Sequence, residues 1–147
     1  LFSCNTEKED VHFYVKKLIE GKRYESQIIG VGFPGYQWPH YIKFKELATK
    51  KQLIRFCHHR NGVIRAYAFK ALIEVDIYAA RKIFKQRGNI KMAIATMSGC
   101  ISYDSRPLTD VYRGIVWGKY LWDVENIEND SINDANFKSY YWFIDKP

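Results

Sequence analysis

A chain of 147 residues, 47% hydrophobic and 27% charged, is one globular domain's worth of sequence, which excludes intrinsic disorder; nor does it contain the roughly 18 consecutive apolar residues of a membrane-spanning helix. Aromatics reach 16%, with 11 Tyr, 9 Phe and 4 Trp, so the core can be built without a disulfide or a metal. The net charge of +7 is uneven: residues 43–91 hold 13 basic and 3 acidic side chains, a local +10, whereas residues 121–147 hold 2 basic and 6 acidic ones, a local −4.

The chain opens Leu1-Phe2-Ser3-Cys4, which resembles the lipobox of bacterial lipoproteins. In that motif a small residue precedes the cleavage point and the Cys thiol takes a diacylglycerol. The resemblance implies that Cys4 is lipidated, that residues 1–10 are a lipobox remnant and polar tether, and that the protein lies in the cell envelope, periplasmic or at the outer membrane. Residues 11–147 then form a single domain. Val11 to Glu20 reads as a helix, since Val11, Tyr14, Val15 and Leu18 repeat at i, i+3, i+4 and i+7, and Gly21 supplies a stop. Residues 26–40 read as a loop, with Ile28 and Ile29 as a short extended piece at most. Inside it Gly30-Val31-Gly32-Phe33-Pro34-Gly35 matches G-x-G-x-x-G. A dinucleotide site needs a strand before the motif and a helix after it. Pro34 and the Tyr36-Gln37-Trp38-Pro39 that follows favour a structural glycine loop instead.

Helical periodicity returns at His40. Thr49 and Gln52 make a capping box, so a helix starts at Lys50 and ends near His58-His59-Arg60, with Asn61-Gly62 as a turn. Val63 to Val75 is the next helix. Asp76 caps another from Ile77 to Gln86, and Asn89 is read as the cap of a further helix from Ile90 to Met97. Ser98 to Ser105 reads as a loop and Pro107 as the first turn of a helix running to about Tyr120. Residues 123–136 read as irregular. The run Tyr140-Tyr141-Trp142-Phe143-Ile144 docks as either a short helix or a strand.

Ile64-Arg65-Ala66-Tyr67-Ala68-Phe69-Lys70-Ala71-Leu72 resembles the second helix of a HEAT-like repeat, V-R-x-x-A-x-x-A-L, with residues 49–59 as the first helix. Asn61 stands where such repeats often place an Asp that pairs with the Arg. Residues 77–86 and 90–97 would be a second, degenerate repeat. Gly99-Cys100-Ile101 and Tyr112 add a likeness to HEAT-like bacterial lipoproteins. The resemblance implies an all-α fold: a short HEAT-like α-α superhelix with a loop-rich N-terminal part and an irregular C-terminal tail.

The three cysteines, Cys4, Cys57 and Cys100, show no C-x-x-C spacing, which argues against a zinc or thioredoxin-type site. Cys57-His58-His59 offers three ligand types in a row, but adjacent helical residues point ~100° apart and cannot converge on one metal. Cys57 reads as core, Cys100 as a buried thiol, and a Cys57–Cys100 disulfide as possible in an exported protein. No cofactor or metal is expected.

The leading expectation is an exported, lipid-anchored helical binding or scaffold module that presents a surface to a protein or an anionic envelope component. Its candidate binding residues are Arg65 and Lys70, on the exposed side of Val63–Glu74, with Arg81, Lys82 and Lys85 nearby. One rival is a basic HEAT-like nucleic-acid-binding protein, which an envelope location disfavours. The other is a hydrolase with Cys100 as nucleophile.

Overall fold

The computed structural model describes residues 7–29, 33–122 and 134–145; Leu1-Phe2-Ser3-Cys4 and the acidic stretch 123–133 lie outside them. Helix α1 (Val11–Glu20) starts where the sequence places it, because the Asp10 carboxylate accepts from the backbone N–H groups of His12 and Phe13. It buries Val11, Tyr14, Val15 and Leu18, the residues of the apolar stripe. Gly21 does more than stop the helix. A Cβ there would overlap the Gln37 amide, so the helix end and Gln37 sit together only if residue 21 has no side chain.

The expectation of an all-helical fold is overturned by a four-stranded mixed sheet, ordered β2-β1-β3-β4. Its members are β1 (Arg23–Ile29), the two-residue edge strand β2 (Phe33–Pro34), β3 (Ala93–Gly99) and β4 (Ile101–Pro107). β1 and β3 run parallel, with Arg23 opposite Ala95 and Tyr24 opposite Thr96, and the other two pairings are antiparallel. The reason is a period mistaken for another. In β3, Ile94 and Thr96 are buried and their neighbours are not, the alternation of a half-buried strand. Small alanines between them suit a helix equally well, so alanine spacing misleads there. The Gly99-Cys100 turn, with Gly99 at a φ of +55, folds the chain back as a hairpin. The alternating Ile101-Ser102-Tyr103-Asp104 that follows is strand β4, where a loop was expected.

Four helices connect β1 and β2 to β3. They are α2 (Gln37–Leu47), α3 (Lys50–Phe56), α4 (Gly62–Val75) and α5 (Ile77–Lys85), closed by a 3-10 turn over Gln86–Asn89. The Thr49–Gln52 capping box forms. Asn61 caps α4 through Val63 and Ile64, and Asp76 caps α5 through Tyr78 and Ala79. Helix α4 is buried nearly all round, from Val63 to Ile73, as expected of a helix hydrophobic on every side. It packs against α1, α2, α3, α5, α6, β1 and β3. A Cβ on Gly62 at its start would overlap the side chains of Met92 and Ile94 and force them to shift.

After β4, α6 (Leu108–Trp117) leads into a π-helical turn (Gly118–Trp122), and α7 (Asp134–Ile144) returns to the body. Residues 140–144 are thus helical, and the helix reaches back into the stretch expected to be irregular. Phe143 is fully buried, 5.3 Å from the Phe84 ring and 6.4 Å from Phe69, so α7 docks on α5.

The HEAT-like pairing of residues 49–74 corresponds to α3 and α4. The second repeat is not formed, because its second helix is strand β3. Since α4 is interior, the chain does not build a superhelix with a concave face lined by second helices.

Candidate anion-binding face

The basic surplus of residues 43–91 is divided by the fold. The segment's three acidic residues are each held by a lysine: Glu46 by Lys43 at 3.4 Å, Glu74 by Lys45 at 2.8 Å and Asp76 by Lys50 at 3.3 Å. The five candidate binding residues meet different fates. Arg65 donates through Nε to the His59 carbonyl at 2.6 Å and through a terminal nitrogen to the His58 carbonyl at 3.4 Å. It therefore holds two carbonyls of the turn between α3 and α4. Asn61 does not pair with Arg65, because its side chain is spent on the α4 cap. Lys70 leans over the Tyr41 ring, 5.9 Å from its centre. Both are half-buried on the interior helix, and neither lines the face described next.

Arg81, Lys82 and Lys85 do come together. Tyr78, Arg81, Lys82, Lys85 and Gln86 follow one another at 3, 1, 3 and 1 residues, which places them on one side of α5. They line a shallow depression of about 360 Å³. The opposite side of α5, Ala80, Ile83 and Phe84, is buried. Among the described residues no carboxylate lies within ion-pair distance of these three cations.

Sequence reasoning missed the aromatic half of this face. The Arg81 guanidinium lies 4.5 Å from the centre of the Trp142 ring, and its Nε donates to the Trp142 carbonyl at 2.8 Å. Tyr78 meets the same indole edge-on at 5.5 Å. Tyr78 is 73% and Trp142 38% exposed. The C-terminal segment does fold back toward the basic region, as the charge pattern allowed, but the part that touches α5 brings Trp142 and Phe143. Trp142 is at the surface, whereas Trp38 packs against the core beside Tyr41.

The other sites weighed from the sequence fall out differently. The glycine motif does have a strand before it and a helix after it, contrary to the sequence reading, but Gly30-Val31-Gly32 lies outside the described residues. The N-terminus of α2, where a pyrophosphate would bind, already holds an anion. The buried Glu25 carboxylate accepts from the Gln37 N–H at 3.3 Å and from Arg23 Nε at 2.9 Å. The Gln37 side chain in turn donates to the carbonyls of Leu18 and Arg23. This junction ties α1, β1 and α2 together.

Cys57 is buried, and burial pushes its thiol up to about 12, so it is an inert core residue. His58 is exposed, and His59 Nδ1 accepts from the Asn61 N–H at 2.9 Å. The triplet therefore diverges, and no group of three metal-ligating side chains occurs among the described residues. Cys100 is exposed rather than buried, and Cys57 and Cys100 are not joined in a disulfide. Cys100 sits at a hairpin turn and is followed by β4. Cys4 lies outside the described residues. No helix among the described residues is long and apolar enough to cross a membrane. No family model, curated protein or solved structure matches the chain.

Proposed function

We propose that this protein is a binding module without catalytic chemistry, held at a membrane through a lipid on Cys4, that takes an anionic envelope component on the outer face of α5. The observation that carries the reading is the set of cations left over by the fold. Arg81, Lys82 and Lys85 share one face, and no described carboxylate neutralises them, while the neighbouring acidic residues are occupied by other lysines. An uncompensated cluster of this kind raises the local potential and attracts anions. The lipid rests on Leu1-Phe2-Ser3-Cys4 and the polar residues after it. It would hold the module close to envelope partners and raise their effective concentration.

The test of the anionic partner is retention on an immobilised polysulfate. Lys82→Glu with Lys85→Glu should elute at clearly lower salt than the parent. Lys51→Glu with Lys91→Glu, two exposed positions away from this face, should elute close to it. Equal elution of the two double variants would refute the assignment to α5. The anchor is tested by replacing Cys4 with Ala in the cell-expressed precursor. Release from the membrane fraction with loss of the lipid mass is expected, and a membrane-bound variant of unchanged mass would refute lipidation.

A further inference from the structure

We infer that the anionic component bound by the α5 face is the bilayer surface itself, with α5 and α7 lying side by side against anionic phospholipid headgroups; this rests on the anion-binding reading above. Six aromatic side chains are exposed among the described residues: Tyr36, Tyr78, Tyr103, Trp117, Tyr141 and Trp142. Four of them fall on three neighbouring helices, Tyr78 on α5, Trp117 on α6, and Tyr141 and Trp142 on α7. They form a band in two parts, each held by its own ring contacts. Tyr78 meets Trp142 at 5.5 Å, while Tyr140 bridges Tyr141 at 5.7 Å and Trp117 at 5.6 Å. Leaving large rings in water forfeits the hydrophobic gain of burying them. Exposed rings gathered on helices that pack together, α5 and α6 each against α7, mark a surface suited to contact.

Cations accompany the rings. Arg81, Lys82 and Lys85 stand on α5, and Lys138 is exposed on α7 one turn before Tyr141, against the acidic Asp145 one turn after it. Tyr and Trp are the residues that settle at headgroup level, with the ring in the apolar boundary and the polar edge in water. Lys and Arg beside them meet lipid phosphates. The neighbouring helices α5 and α7 present both kinds of side chain. The same face is poorly suited to reading a nucleic acid. One side of the Trp142 ring already carries Arg81 and its edge meets Tyr78, whereas sequence-tolerant strand binding depends on aromatic faces open to successive bases. The modest size of the band fits weak, reversible docking that becomes stable when a lipid supplies the second attachment.

The test uses the full chain with Cys4→Ser, so that no acyl chain contributes. It is mixed with phosphatidylcholine vesicles, with and without about 30 mol% phosphatidylglycerol, and binding is followed by co-sedimentation and tryptophan emission. Binding to the anionic vesicles alone is expected, with a blue shift that Trp142→Phe diminishes. Lys82→Ala with Lys85→Ala should weaken binding about twenty-fivefold, since each cation at such a surface is worth about fivefold. Tyr78→Ser should weaken it further without altering the circular dichroism spectrum. Retention on the polysulfate, or binding of single-stranded DNA, in an α5-dependent way without vesicle binding would overturn the membrane inference and leave the anion-binding reading intact. Failure to bind any of the three would overturn both. Vesicle binding unchanged by the lysine substitutions would place the contact elsewhere and overturn the inference.

Discussion

Two groups of basic residues, one on α4 and one on α5, look alike in the sequence and are used differently. Arg65 and Lys70 belong to a helix surrounded by other elements. The Arg65 guanidinium holds the His58 and His59 carbonyls between α3 and α4, and the Lys70 ammonium lies over Tyr41. Arg81, Lys82 and Lys85 belong to a helix with only one side buried, and although Arg81 also contacts Trp142, no described carboxylate neutralises the three charges. A basic side chain is free for a partner only where its helix is peripheral. Composition counts both groups, and burial separates them.

The largest expected effect tests the interior side of this comparison. Leu72→Ala removes a fully buried side chain from α4 and should cost about 2–5 kcal/mol, from lost transfer energy and the cavity left behind. Lys82→Ala with Lys85→Ala should change stability by no more than about 0.5 kcal/mol, as surface substitutions do. Denaturant midpoints of the three proteins measure both. A neutral Leu72→Ala would move α4 to the surface and remove the distinction.

The polar junction comes next. Glu25→Ala leaves the partly exposed Arg23 and the buried Gln37 N–H without their shared acceptor and should cost about 1–3 kcal/mol, mainly the penalty for stranding the buried N–H. Thermal unfolding reads this directly. A stability unchanged within error would mean that the α2 N-terminus is open to an outside anion after all.

Arg65→Ala sharpens the comparison most directly. It should lower stability by about 1–3 kcal/mol, because two backbone carbonyls lose a charged donor, while retention on the polysulfate stays near the parent's. Arg65→Lys should recover only part of the loss, since a single ammonium does not reproduce the guanidinium fork. A large drop in anion retention with unchanged stability would reverse the roles assigned to the two helices.

The smallest effect is a pH dependence. The pKa of His59 is held below its usual 6.5 by burial first and then by Arg60 and Arg65, and its Nδ1 must stay unprotonated to accept from Asn61. His40 is lowered as well, by burial and then Lys17. The unfolded chain therefore takes up protons near pH 6.5 that the folded chain resists. Stability is full above that pH and falls as the pH drops below it toward the folded values. Denaturant midpoints from about pH 8 to about pH 5 should decline, and His59→Ala should flatten the slope while lowering the value at high pH. A parent curve that is flat, or one that rises toward acid, would contradict the buried, accepting role of His59.

Much of the helical framework was legible because it is written locally. Asp10, Thr49, Asn61 and Asp76 each place a side-chain oxygen on backbone N–H groups two or three residues ahead. Such bonds form with little help from the rest of the chain, so the bounds of α1 and the starts of α3 and α5 could be read directly. The buried stripe of α1 followed from its period for the same reason. The face on α5 was half legible. Its cations stood out as a charge run, but Trp142 reached them only through the docking of Phe143 on Phe84.

What tertiary structure alone decided is the sheet and, with it, which charges stay free. The backbone groups of Arg23 to Glu25 find their partners at Ala95 to Met97, and no local signal in either stretch announces the other. Ala93 to Met97 suits a helix by propensity and a strand by alternation. The choice falls to the strand because β1 on one side and β4 on the other satisfy its backbone, and context of that kind outweighs a weak intrinsic preference. The same long-range pairing closes the chain around α4, enlists Arg65 and Lys70, and leaves Arg81, Lys82 and Lys85 facing outward.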